Sequence, residues 1–230
     1  MTIHPAAFRT TAAQAANLVA GANYLARQNA PEPLRAAGTV VQIAEGREIF
    51  AEGDDTDVFY KVISGVVRVC KFLSDGRRQI AAFHVVGDVF GIELGTEREL
   101  AAEAVNDCTL VVYRRRSIEL LAAKDEAVSR QMFQFAMLNL SQAMGHSLLL
   151  GRRGAAEKVA AFLLDWQARS ARQDVIHLPM TRQEIGDYLG LTIETVSRSL
   201  SQLERDGVIA LPNTRDVRIL NADALEDLAA

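Results

Sequence analysis

Ile193, Glu194, Ser197 and Arg198 form a short arc with the most specific recognition chemistry in this 230-residue chain. An arginine fork can bond O6 and N7 of guanine, and a carboxylate can accept from cytosine N4. A hydroxyl suits either kind of partner, and an aliphatic tip fits a thymine methyl. The same residues also make an ordinary solvated helix face, with Glu194 and Arg198 four apart in a weak intrahelical pair. Spacing alone leaves both readings open.

The elements that must position these side chains are legible around them. The run TRQEIGDYLGLTIETVSRSLSQLERDG, residues 181–207, divides into two short helices. Thr181 suits the cap of the first, with Glu184 three residues on completing a capping box. Gly190 suits a left-handed stop after Ile185 and Leu189. Leu191 fills the turn, and Thr192 caps the second helix. There Val196, Leu200 and Leu203 make a core stripe, while Glu194, Ser197, Arg198, Ser201 and Arg205 lie on the opposite arc. Two helices with a short glycine-containing turn form the helix-turn-helix pattern, whose second helix enters the major groove of DNA.

Other chemistries find little support. There is no nucleophile–base set, phosphate loop or metal-ligand spacing, and Gly87-Asp88-x-x-Gly91 is too short for a dinucleotide fingerprint. No catalytic residue, cofactor or metal is expected. His4, His84, His146 and His177 are scattered, and Cys70 and Cys108 fall in predicted strands, where a buried thiol behaves as a small hydrophobe. Two cysteines fit a reducing cytoplasm. No apolar run approaches the length of a membrane helix, about 20 residues, and no secretory signal is apparent. A formal charge of −4 argues against a broad basic footprint, so contact with nucleic acid must rest on a local surface.

The remainder reads as an α+β chain. Residues 1–38 are an Ala-rich extension with a helix expected over Ala13 to Arg27, closed by Pro31 and Pro33. Residues 39–116 alternate short Val/Ile/Phe runs with Gly and Asp breaks, including a Ser74-Asp75-Gly76 turn, as in an antiparallel sandwich or barrel. Residues 117–150 are expected to be a helix with apolar residues around much of its surface. Phe133, Ala136, Met137, Leu140 and Met144 fall at helical spacing, and Phe135, Leu138 and Leu148 widen the face. Such a helix is buried either wholly within one chain or partly by a second copy. Residues 151–230 are mostly helical, with Ser170 to Met180 a loop.

The helix-turn-helix run, and Glu194-x-x-Ser197-Arg198 above all, resembles the winged helix-turn-helix of the CRP/FNR superfamily in its FNR and FixK branch. The likeness continues upstream in Gly46 to Asp54, Leu73 to Ile80, Phe83 to Gly91 and Gly151 to Leu164, about residues 39–223 in all. It implies an N-terminal β-roll like a cyclic-nucleotide-binding domain, a long dimerisation helix and a C-terminal DNA-binding domain with a wing over Val208 to Leu220. By the same resemblance, Ile193, Glu194, Ser197 and Arg198 would read a palindromic TTGAT–ATCAA-type site in double-stranded DNA. Arg182 and Gln183 would contact phosphate or groove edges, and Thr192, Arg152 and Arg153 would add phosphate or positioning contacts. The homodimer would activate transcription through RNA polymerase. Low-oxygen responses are typical of the branch.

The resemblance also brings three effector classes to weigh. Residues 1–40 lack the cysteines an iron–sulfur sensor would use. The cyclic-nucleotide pairs are disturbed: Gly91-Ile92-Glu93 carries an inserted residue, and Glu99 follows Arg98 where a serine is expected. Arg98 is then expected in a salt bridge or in solvent. No histidine pair has haem-ligand spacing. A regulator active without an obligatory effector is preferred, the alternative being one gated by a small molecule or a redox signal.

Overall fold

The computed structural model describes residues 32–169 and 175–229. The helix expected over Ala13 to Arg27 lies outside them. Helix α1 (Glu32–Ala36) corrects the reading of Pro31 and Pro33 as a stop. Pro33 sits in its first turn, where a missing N–H costs nothing, and Leu34 is buried.

Eight antiparallel strands follow: β1 (Gly38–Ile43), β2 (Glu48–Phe50), β3 (Val58–Ser64), β4 (Val67–Phe72), β5 (Arg78–His84), β6 (Val89–Phe90), β7 (Ala101–Ala104) and β8 (Cys108–Arg114). They form two four-stranded sheets, ordered β1-β8-β3-β6 and β2-β7-β4-β5. Between the sheets Phe50, Tyr60 and Phe90 stack on one another around Val62, Val67 and Leu110. The β4–β5 hairpin turns where expected, with Gly76 at φ 84° and the Leu73 amide donating to the Arg77 carbonyl at 2.8 Å.

The helix expected over 117–150 is two helices, α2 (Arg115–Ala122) and α3 (Glu126–Leu150). The break has a local cause. Asp125 is extended, and its carboxylate accepts from the amides of Ala127 and Val128, starting a new helix. Ile118, Val128 and Phe135 bury α2 and the start of α3 against Phe59 and Tyr113 of the first sheet.

Past Gly151 come α4 (Ala155–Arg169), β9 (Ile176–His177), α5 (Arg182–Leu189), α6 (Ile193–Arg205), β10 (Ile209–Ala210), β11 (Asp216–Ile219) and α7 (Ala222–Leu228). The stretch read as a loop, 170–180, therefore holds a strand. It exists through its partner, since β9 pairs with β11 in the three-stranded sheet β10-β11-β9. One core unites this unit with the outer face of the second sheet. Cys70, Ile80 and Phe83 share it with Val159, Phe162, Trp166, Leu189 and Leu200.

Candidate nucleic-acid interface

Both helix starts form as the side-chain chemistry requires. The Thr181 hydroxyl accepts from the Glu184 amide at 3.2 Å, and Glu184 Oε2 accepts from the Thr181 amide at 2.6 Å, completing the capping box. Gly190 ends α5 in the left-handed region at φ 64°. Thr192 caps α6 by accepting from the Thr195 amide. The turn packs hard against α5, because a Cβ on Gly186 would lie 2.6 Å from the Leu191 carbonyl oxygen.

Helix α6 then presents two faces. Val196, Leu200 and Leu203 are buried, as is Ser199. Ile193, Glu194 and Arg198 are exposed and Ser197 is half-buried, so the four expected base-reading residues share one open arc. No direct intrahelical Glu194–Arg198 ion pair forms, and Arg198 makes no hydrogen bond or ion pair with another described residue. Glu194 stays ionised. Its own backbone N–H, the Thr192 hydroxyl and then the Arg198 charge hold its carboxyl below the usual range. At the first turn that carboxylate is an acceptor only, the form a cytosine amine requires.

The expected phosphate-contacting residues divide between two places. Arg182 and Gln183 open α5, with Gln183 Nε2 donating to Asp187 at 2.7 Å, and Thr192 opens α6. Arg152 and Arg153 lie instead in the four-residue link between α3 and α4. Exposed Arg215 and Arg218, in and beside β11, extend the cationic surface onto the wing and were not singled out in the sequence. Their signal was the strand pairing, not their spacing. Arg215 also ties the wing to the segment between β9 and α5, donating to the Pro179 carbonyl at 2.7 Å.

The contacts that hold α5 have no local sequence signature. Arg68 of β4 pairs with Glu184, the capping residue itself, and Arg78 of β5 reaches Asp187 at 3.0 Å. Arg68 also bonds Glu103 of β7 at 2.7 Å.

In the β-roll, Arg98 is buried, and both terminal nitrogens of its guanidinium are engaged while Nε has no partner among the described residues. It donates to the Gly91 carbonyl at 2.7 Å, to Glu93 at 3.1 Å and to the Val58 carbonyl, with its guanidinium 4.2 Å above the Phe50 ring. Cys70 and Cys108 are buried free thiols. Burial, aided by the Glu103 carboxylate, pushes the Cys70 thiol up to about 11, and burial also raises Cys108, so both remain protonated near neutrality. His84 stacks on Phe90, and His177 bonds Asp216.

Comparison with known proteins agrees with this geometry. A Crp-like helix-turn-helix domain matches residues 157–228 and a cyclic nucleotide-binding domain matches residues 40–125. The nitrogen fixation regulation protein FixK of Rhizobium meliloti is 40% identical over 198 residues, covering 86% of this chain and 90% of the relative. FixK of Azorhizobium caulinodans is 43% identical over 198 residues, covering 84% and 80% respectively. Among solved structures, FixK2 from Bradyrhizobium japonicum superposes with a TM-score of 0.80 at 44% identity, covering 84% of this chain and 98% of that one.

Proposed function

The chain belongs to the CRP/FNR family of DNA-binding transcription regulators, in its FixK-like branch, and we propose that it binds a palindromic TTGAT–ATCAA-type site as a homodimer without an obligatory small-molecule effector. One observation carries the reading: the polar arc of α6 is open, its carboxylate ionised and its guanidinium uncommitted to any described residue, over a buried apolar stripe. Arg198 reads guanine, Glu194 cytosine, Ser197 either partner and Ile193 a thymine methyl. Arg182, Gln183 and Thr192 set the register on phosphates, with Arg152 and Arg153 adding to the cationic field.

Self-association is supported by α3. Phe133, Met137, Leu140, Met144 and Leu148 are exposed along one side of it, and an apolar stripe of that length calls for a partner. A second copy of the same helix matches it residue for residue, and a two-fold dimer suits a palindromic site. Effector independence is supported by Arg98. A cyclic phosphate would need that guanidinium, and Gly91, Glu93, Val58 and Phe50 already hold it inside the protein. A cleft of about 500 Å³ between the second sheet and α3, lined by Phe90, Leu94, Asn139, Gln142 and Arg169, favours the second reading, gating by a small molecule. In either case we infer that the protein acts in the cytoplasm and activates transcription by recruiting RNA polymerase.

The deciding experiment is a titration of untreated protein against a TTGAT–ATCAA duplex and a scrambled duplex at fixed salt. Tight, selective binding without additives is expected. Selectivity that appears only with an added small molecule favours the gated reading, and none under any condition overturns the α6 assignment.

A further inference from the structure

The DNA-binding unit rests on the β-roll through a contact centred on α5, the first helix of the helix-turn-helix. Its centre is apolar: Phe83 of β5 meets Tyr188 at 5.3 Å and the edge of Trp166 at 5.9 Å between ring centroids. Apolar contact is non-directional and by itself fixes no angle. The rim differs. Arg68 and Arg78 project from the β4–β5 hairpin onto Glu184 and Asp187 of α5, with Glu103 of β7 beneath them. All five side chains are at most 20% exposed, so water screens them little.

Glu184 has one role for each oxygen. Oε2 caps α5 through the Thr181 amide, and Oε1 takes Arg68 with Arg78 at 3.8 Å. The start of the helix is thus tied to the angle at which the helix sits. Helix α6 must follow, since the α5–α6 turn packs without room for a Cβ at Gly186. The docked face is the back of α5, which leaves Glu194 and Arg198 exposed, so the contact sets a stance and blocks nothing.

We propose that Arg68 and Arg78 are positioning residues for DNA recognition, fixing the tilt of the DNA-binding unit on the β-roll and thereby the half-site spacing the dimer accepts. The inference rests on the functional reading above. Two recognition helices must enter grooves about 34 Å apart, and a loosened rim lets each unit rock about its apolar centre.

The test uses full-length protein with Arg78→Asp, Asp187→Arg and the double exchange, on operators whose central spacer is lengthened or shortened by one and two base pairs. Wild type should prefer one spacing sharply. Arg78→Asp should lose about tenfold on that spacing and discriminate less among the others, and the double exchange should restore both. A second readout needs no DNA. Spin labels on Thr39→Cys and Arg205→Cys, diluted into unlabelled protein, should give a narrow distance distribution that broadens with Arg78→Asp and narrows again in the exchange. If Arg78→Asp does not fold, Arg78→Gln replaces it in both assays. An unchanged spacing preference, an unchanged distance distribution, or no rescue by the exchange overturns the clamp. Absence of selective binding by wild type counts against the DNA-reading proposal alone, since the spin-label arm still decides the clamp.

Discussion

His146 lies flat on Tyr188, with ring centroids 4.0 Å apart and planes 7° from parallel, and its Nε2 donates to the Tyr188 carbonyl at 2.8 Å. One residue lies near the C-terminal end of the long helix and the other sits inside the helix-turn-helix, so this stack joins the rod of the molecule to its reading head. Burial lowers the His146 pKa, while the carbonyls of Tyr188 and Ala81 and the Asp165 carboxylate pull less strongly the other way.

A pH dependence follows with a definite sign. Between an unfolded value of about 6.5 and the lower folded value, the unfolded chain binds the extra proton, so acid favours unfolding. The stack's contribution is complete above about pH 6.5 and is lost as pH falls toward the folded value. Thermal midpoints of wild type should therefore drop more than those of His146→Phe between pH 7.5 and 5. Parallel curves would mean the imidazole is not the group responsible.

Arg198→Ala should cost about 1–3 kcal/mol per half-site and relax discrimination at one base pair. Competition binding against operators permuted at each position measures both. Full affinity with intact discrimination would remove Arg198 from base reading.

Arg182→Ala should weaken all duplexes alike and reduce the slope of log K against log salt by about one. The contrast with Arg198→Ala separates a residue that positions from one that specifies. A loss confined to one sequence would reverse the two roles.

Leu140→Asp on the exposed stripe of α3 should yield folded monomers by sedimentation, with operator affinity reduced at least about tenfold through loss of the paired half-site contact. A dimer of unaltered strength would place the self-contact elsewhere.

Arg98→Ala should destabilise the β-roll by about 3 kcal/mol, because it leaves Glu93 and two carbonyls without their shared partner. Operator binding below the melting range should be unchanged and should show no response to cyclic nucleotides. Chemical denaturation and the operator titration together check the pair of outcomes.

The helix-turn-helix was legible residue by residue because its determinants are local: a capping box, a glycine with positive φ, a second cap and a stripe at helical spacing. The strands bounded by Gly and Asp were legible for the same reason. Strand β7 was not, since Ala101-Ala102-Glu103-Ala104 has none of the branched residues that mark a strand and holds its place between β2 and β4 by pairing. Strand β9 is two residues defined by a distant partner. The division between α2 and α3 was hidden because Asp125 interrupts an otherwise continuous helical pattern. Hardest of all was the rim of arginines, whose contacts to α5 span more than a hundred residues of sequence.

Helix α3 meets three different surfaces along its 25 residues. Val128 and Phe135 enter the β-roll, the stripe from Phe133 to Leu148 faces outward, and His146 meets the reading head. A rod gripped in this way behaves as an axle. A roll of about 20° sweeps a side chain at its outer radius of about 5 Å through roughly 2 Å, half the separation of the stacked rings. In the proposed homodimer, a change in how the second copy grips the stripe would reach Tyr188 as torque, with no messenger molecule between them.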